Sequence, residues 1–292
     1  MPIEALKRRI KTTEDLREIV NNMKMLSSVS IGQYEQANSV LDKYRRNIRD
    51  AFHALIINHG IPNINKQAII KNKYLYVLIG SDNGMIGRFN KEIIEAVNKD
   101  MKQRHIAKQD IIFMILGKRL AMMSEQTGWN LWTCYGMVNS VKAVAGLAGS
   151  VILKIDEATR KEHVTNVSVW FHQRKNNSTV NLEKRDIIPF AVERLHKLKA
   201  QKWETNNIPM LPVEPQKMFA ALVKEMLMSA LSKLINSSLA AEHYTRMTNM
   251  QNAEKNIDEN LAIMNLEYQQ QRQEEITDEL IDVISGAEAM KK

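Results

Sequence analysis

The stretch PQKMFAALVKEMLMSALSKLINSSLAAEHYTRMTNMQNAEKNIDENLAIMNLEYQQQRQEEITDELIDVISG, Pro215 to Gly286, decides the fold: 70 residues, Gln216 to Ser285, separate its opening proline from the closing glycine without a single helix breaker. Proline costs about 3 kcal/mol and glycine about 1 kcal/mol in a helix interior, so this run predicts one helix on the order of 100 Å long. A second run, Ile3 to Ile57, is interrupted only by Gly32. A core is about 30 Å across, so helices of this length cannot each be buried alone and must pack on one another.

The first run carries the rhythm of a left-handed coiled coil. Leu16, Val20, Met23, Ser27, Ser30, Tyr34, Ala37, Leu41, Tyr44, Ile48, Ala51 and Leu55 are spaced alternately by four and three. Ile3, Leu6, Ile10 and Thr13 keep that rhythm upstream, and the short step from Thr13 to Leu16 reads as a stammer. Asn58 to Gly60, followed by Pro62, is a C-terminal stop. In the last run Met226, Ala230, Leu234, Ser237, Ala241 and Tyr244 form a similar seam, continued by Ile257, Leu261, Met264 and Tyr268 and then by Ile276, Leu280, Val283 and Ala287.

If the helices leave and re-enter a globular domain near Asn58 and Met210, an antiparallel pair sets residues opposite when their numbers sum to about 268. That register places Ser30 against Ser237 or Ser238, Ser27 against Ala241, Tyr34 near Leu234 and Met23 near Tyr244. Gln269 to Lys292 then continue alone for roughly 24 residues, or about 35 Å. Ile276, Leu280, Ile281, Val283 and Ile284 find no mate in the chain, and each forgoes roughly 1.5 to 3 kcal/mol by staying exposed. An enclosing partner is expected.

Between the helices lies the globular part. Eight of the eleven glycines fall from Gly80 to Gly149, and the prolines, Pro2, Pro62, Pro189, Pro209, Pro212 and Pro215, mark borders. Tyr74 to Gly80, Ile111 to Gly117 and Leu131 to Tyr135 are apolar runs of buried-strand type, each followed by a segment of helical length. Val164 to Phe171 and Thr179 to Phe190 read as a closing hairpin about the polar turn Arg174 to Ser178. The fold class is therefore α/β: a long antiparallel two-helix coiled coil plus a central Rossmann-like domain with a largely parallel sheet. The expected segments are an N-terminal helix over 1–58, an α/β domain over 72–195 and a C-terminal helix over 212–288, with 269–292 as a single-helix tip.

Composition narrows the setting. At 292 residues, 44% hydrophobic and 25% charged, the chain is not composed like a disordered protein. One cysteine, Cys134, excludes an intrachain disulfide framework and suits a reducing compartment. No stretch approaches the roughly 18 apolar residues of a membrane span, and the opening MPIEALKRRIKTTEDL mixes acid with base instead of forming a signal or transit peptide. A net charge of +8 favours an acidic partner, an anionic lipid surface or nucleic acid without choosing among them.

No constellation carries catalytic chemistry. Gly84 to Gly87 follows a strand but lacks the GxGxxG spacing, so it reads as a structural turn, and no GxxxxGK[ST] phosphate loop exists. The seven histidines lack metal-ligand spacing, so no metal and no cofactor is expected. Cys134, in an apolar run beside Trp132, reads as a buried core thiol, and Met226 to Met228 as coiled-coil packing. The basic run Lys7 to Lys11 lies on a helix without interleaved aromatics, so pairing with Asp258 and Glu259, or with a partner's acidic loops, is preferred over nucleic acid.

RMTNMQNAEKN (Arg246 to Asn256) and ITDELIDVISGAEA (Ile276 to Ala289), with KRRIKTT (Lys7 to Thr13) and NMKML (Asn22 to Leu26), resemble the γ subunit of F-type ATP synthases over nearly the whole chain. The resemblance implies a non-catalytic rotor: the coil stands inside a hexamer of α and β subunits, the tip fills a bearing, and the α/β domain meets the ε subunit and the c-ring. It places Met23 and Arg246 where the coil faces the β subunits. It places Arg272, Gln273, Thr277 and Glu279 against β-subunit loops, with Ile276, Leu280 and Ile284 as the tip's apolar contacts. The complex it implies is peripheral to a prokaryotic membrane, on the cytoplasmic face, with no transit peptide or chloroplast-type insertion. Ser81 to Asn90 departs from the common pattern, with Arg88 at a usual glycine, and Val29 to Ala37 resembles the divergent γ subunits of alternative synthases, a group that includes sodium-translocating ones. The competing reading is a free-standing coiled-coil adaptor.

Overall fold

The computed structural model describes residues 3–61, 73–175, 179–189, 192–203, 207 and 214–289; Pro62, Pro209, Pro212, Phe190 and the end of the polar turn fall outside them. In chain order the helices are α1 (Ile3–His59), α2 (Phe89–Gln103), α3 (Lys118–Ser124), α4 (Val141–Lys161), α5 (Val192–Lys199) and α6 (Pro215–Ala289). The strands are β1 (Tyr74–Ile79), β2 (Ile111–Leu116), β3 (Leu131–Tyr135), β4 (Asn166–Lys175) and β5 (Thr179–Ile188). Two compact units emerge, Met1–Ser28 with Arg246–Lys292, and Val29–Thr245.

The helix ends follow local chemistry. Pro215 opens α6, where its missing N–H and fixed φ cost nothing. Past α1, Gly60 takes φ 77°, and its N–H donates to the Ile56 carbonyl at 2.8 Å. The glycine accepts the left-handed turn that satisfies the helix's last carbonyls, as the sequence predicts.

In the larger unit the sheet runs β3-β2-β1-β4-β5, parallel except for the β4–β5 hairpin. Successive residues of each central strand point to opposite faces, and both faces are covered, which is why β1 and β2 read as unbroken apolar runs. Leu75, Val77, Ile79, Met114, Leu116 and Phe171 meet α4 and the α6 segment containing Leu231, Leu234, Ile235 and Leu239. Tyr76, Leu78, Phe113, Ile115 and Trp170 face Ile93, Val97 and Met101 of α2 and Leu120 of α3. On that face Lys184 Nζ donates to Asp100 Oδ2 at 2.8 Å, and the Tyr76 hydroxyl donates to the same oxygen. Burial pushes the Asp100 carboxyl up, but those two hydrogen bonds and the Lys184 charge outweigh it and hold it below the usual range.

Gly117, after β2, has φ 123°, and an added Cβ would lie 2.7 Å from the Ser81 backbone nitrogen. Positive φ and backbone crowding combine, so Gly117→Ala is expected to destabilise by about 2 to 3 kcal/mol. Urea unfolding followed by circular dichroism measures this; an unchanged midpoint would refute the close approach.

The pairing of the long helices corrects the expected register. In the larger unit Asp42 pairs with Lys233, and Asn38 Nδ2 donates to Ser237 Oγ at 3.1 Å, both sums being 275. Tyr34 stacks on His243, its ring centroid 5.7 Å away. In the smaller unit Arg17 pairs with Asp258 at 2.7 Å, again summing to 275, and Lys24 pairs with Glu254. The register is thus about 275 in place of 268, a shift of one heptad, which maps seam positions onto seam positions and so cannot be detected from the seams. The error lay in the anchor: α6 begins at Pro215, five residues past Met210. Ser237 accordingly meets Asn38, not Ser30.

Three further expectations change. Leu16 is 49% exposed while Arg17 turns toward α6, so the seam passes through a charged residue where an apolar count finds a stammer. Asp258 is taken by Arg17 and Glu259 by Lys255, leaving Lys7, Arg8, Arg9 and Lys11 exposed without those acids. Cys134 is exposed, because β3 is an edge strand covered less than β1 and β2. Partial burial, then the Asp82 charge, raises its thiol pKa, which disfavours the thiolate.

Candidate partner-binding surface

In the smaller unit Leu6, Leu261 and Met264 form a buried knot, with Ile10, Ile257 and Tyr268 packed around it. Arg17–Asp258 and Lys24–Glu254 extend the pairing away from that knot. Toward the other end Ile3, the first described residue of α1, shares a shallow cleft with Gln271, Glu274, Glu275 and Asp278. Among the described residues, α1 therefore still lies beside α6 past Gln269, where the sequence reading expected α6 to run alone.

Beyond that point the apolar side chains stand in the open. Ile276 is 47% exposed, Leu280 57%, Ile281 54%, Val283 70% and Ile284 58%. They alternate with Asp278, Glu279 and Asp282, so the free end is apolar and acidic at once. Arg272, Gln273, Thr277 and Glu279 are exposed, and the Thr277 hydroxyl donates to the Gln273 carbonyl at 2.8 Å, which spends its proton within the helix. Of these, Glu279 lines the cleft beside Ile3.

Met23 and Arg246 are not brought level. Met23 adjoins Lys24, whose partner Glu254 is eight residues from Arg246, about 12 Å along the helix. Met23 is half-buried and Arg246 is buried at 7% exposure. Sequence reasoning missed a second apolar patch: Ile19, Met25 and Leu26 of α1 are 55%, 59% and 69% exposed. The signal was available, since Ile19 and Leu26 lie one heptad apart off the assigned seam.

The loop after β1 holds itself. Ser81 N–H donates to Asn90 Oδ1 at 3.1 Å, Asn90 Nδ2 donates to Ser81 Oγ at 3.0 Å, and Asp82 accepts from the Lys118 and Met137 backbone N–H groups at 2.7 and 2.9 Å. Ile86 and Phe89 pack on Ala241 of α6, and Ser238 Oγ donates to the Ile79 carbonyl at 3.3 Å. In an open α/β sheet, ligands lie in the crevice outside the strands' carboxyl ends. Here the chain's own C-terminal helix packs against that end of β1.

The larger unit is a Rossmann-like sheet packed against segments of both terminal helices, and the smaller unit carries an exposed apolar stretch of α6. The chain belongs to the ATP synthase family, whose model matches residues 2–290. It is similar to the ATP synthase gamma chain of Clostridium kluyveri, 27% identical over 288 residues covering 98% of this chain and 97% of the relative. The gamma chain of Staphylococcus haemolyticus is 22% identical, with 97% of each covered. Among solved structures, the rotor of the Euglena gracilis mitochondrial ATP synthase matches with TM-score 0.62 at 15% identity, covering 94% of this chain and 98% of that one. Within the family this chain is of the gamma type.

Proposed function

We propose that the chain is the shaft of a rotary, ion-translocating ATP synthase. It turns inside a hexamer of α and β subunits and is joined through the ε subunit and c-ring to the membrane, on the cytoplasmic face of a prokaryotic cell. It performs no chemistry itself. The observation that carries this reading is the exposed apolar end of α6, which makes sense only inside a sleeve. Ile276, Leu280 and Ile284 line that bearing, and Arg272, Gln273, Thr277 and Glu279 touch β-subunit loops. Polar contacts suit a turning part, because charge-assisted hydrogen bonds of roughly 1.5 to 3 kcal/mol break and re-form at each step where a deep apolar lock would not. Met23 contributes to the coil's face toward the β subunits, and Arg246, buried within this chain, supports that face from beneath. Among the described residues no helix is long and apolar enough to cross a membrane, which fits a peripheral subunit.

The test is co-expression with the α, β, ε and c subunits of the same source, with the affinity tag on this chain. A complex that retains all of them and hydrolyses ATP, while the chain alone does not, is the expected result. A chain that recovers no hexamer refutes the rotor reading.

A further inference from the structure

Where the start of α4 meets α1 and α6, within the larger unit, a cleft of about 670 Å³ opens. Its volume falls in the range of small-molecule sites. From α6 it is lined by Ser232 and Asn236, one turn apart and so on one face, at 6% and 2% exposure. Asn236 Oδ1 is buried with no hydrogen-bond partner. An acceptor in that state has given up water without receiving a donor, which works against folding unless something else supplies the proton. The torsion that orients a terminal amide is broad, so a modest turn presents the oxygen to the cleft.

A second polar element of the lining is the open first turn of α4. Its N-cap, Ser140, makes no side-chain capping bond, and the Ala143 N–H turns back to the Ser140 carbonyl at 3.2 Å. The leading N–H groups of a helix have no partner within it, and together with the helix dipole they favour an anion. Lys142, exposed on the same turn, also lines the cleft. Among the described residues no carboxylate lines it, and the acids closest along α1, Glu35 and Asp42, are paired with Arg174 and Lys233. Ala37, Leu41, Val141 and Val144 make much of the remaining wall apolar.

We propose that this cleft binds a small aliphatic carboxylate that also carries a hydroxyl or amide N–H. The carboxylate sits at the first turn of α4, the donor serves Asn236 Oδ1, and the aliphatic body covers Leu41 and Val144. A bare inorganic anion would leave Asn236 without its donor and the apolar wall wet. A water molecule supplies a donor but neither a charge for the helix end nor a body for the wall.

The test titrates the full chain with 5-hydroxypentanoate and follows two signals by NMR, the Lys142 backbone amide and the Asn236 side-chain amide pair, the latter assigned through Asn236→Leu. Both should shift, and binding should be about tenfold tighter than that of pentanoate, which lacks the donor, or of 1,5-pentanediol, which lacks the charge. Asn236→Leu, which removes the orphaned oxygen at similar volume, should keep the circular dichroism spectrum and bind pentanoate and 5-hydroxypentanoate equally. Lys142→Glu, at an exposed position, should weaken binding by about tenfold in an otherwise unchanged chain. Equal binding of either control by the wild-type chain, a stationary signal at either residue, or indifference to Lys142→Glu would each overturn the assignment. So would signals that answer to added ε subunit but not to the small acid, which would make the cleft a seat for protein.

Discussion

A chain ending at Glu275 should unfold within about 2 °C of the full chain yet lose on the order of a hundredfold in affinity for the α and β hexamer. The first half follows from exposure: Ile276, Leu280, Ile281, Val283 and Ile284 are each about half or more exposed, so removing them takes almost nothing from the folded chain. The buried knot of Leu6, Leu261 and Met264 and the Arg17–Asp258 and Lys24–Glu254 pairs all lie on the retained side. The second half follows from what enclosure would return. Each of the five is worth roughly 1.5 to 3 kcal/mol when buried, and a third of that total already amounts to about 3 kcal/mol. Leu280→Glu with Ile284→Glu should reproduce most of the loss at full length, because a carboxylate cannot enter an apolar bearing unpaired. Thr277→Val should do little, its hydroxyl already being bonded to Gln273. Thermal melts of the free chains and pull-down of the hexamer separate the two halves. A truncated chain that assembles as tightly as the full one would mean the end of α6 is not the bearing.

Where that bearing begins is the part the sequence located only approximately. The strands were legible because β1 and β2 are buried on both faces and advertise it in Tyr74 to Ile79 and Ile111 to Leu116. The helices were legible because breakers are absent. Register was not, because a heptad seam looks the same after a shift of seven, and the discriminating contacts are polar: Asn38 with Ser237, Arg17 with Asp258, Lys24 with Glu254. An apolar count passes over Arg17 and picks its exposed neighbour Leu16. Helix α5 also escaped notice, being eight residues with one buried apolar side chain described, Leu195. Cys134 was misplaced for a related reason: strand composition does not say which strand is at the edge.

Between pH 6.5 and 5 the chain should lose roughly 1.5 to 2 kcal/mol of stability, nearly all of it through one histidine. His172 of β4 has no exposed surface, its ring stacks on Phe89 at 3.8 Å, and its Nε2 lies 3.3 Å from Glu92 Oε2. Among the described residues its Nδ1 is buried without a partner, so the neutral tautomer that donates from Nε2 to Glu92 fits, whereas a second proton would bury a charge and an unpaired N–H. Burial accordingly pulls the imidazole down to about 3. The unfolded chain, with an ordinary value near 6.5, binds the proton first, so its lead over the folded state grows as pH falls from about 6.5 toward 3. The contribution is fully present above that window and declines by at most about 1.4 kcal/mol per pH unit within it. Carboxylates do not confuse the reading, because Asp100, held low chiefly by its bonds from Lys184 and Tyr76, and Glu157, drawn to about 2 by Lys154 and then Lys161, lose their stabilisation only as pH falls through the ordinary carboxylate range near 4. Urea unfolding at pH 7, 6 and 5 should show the decline in the wild-type chain and a nearly flat response in His172→Gln, which keeps a donor for Glu92 but cannot titrate. Equal slopes in the two chains would show that His172 does not control acid stability, and the neutral buried imidazole would have to be abandoned.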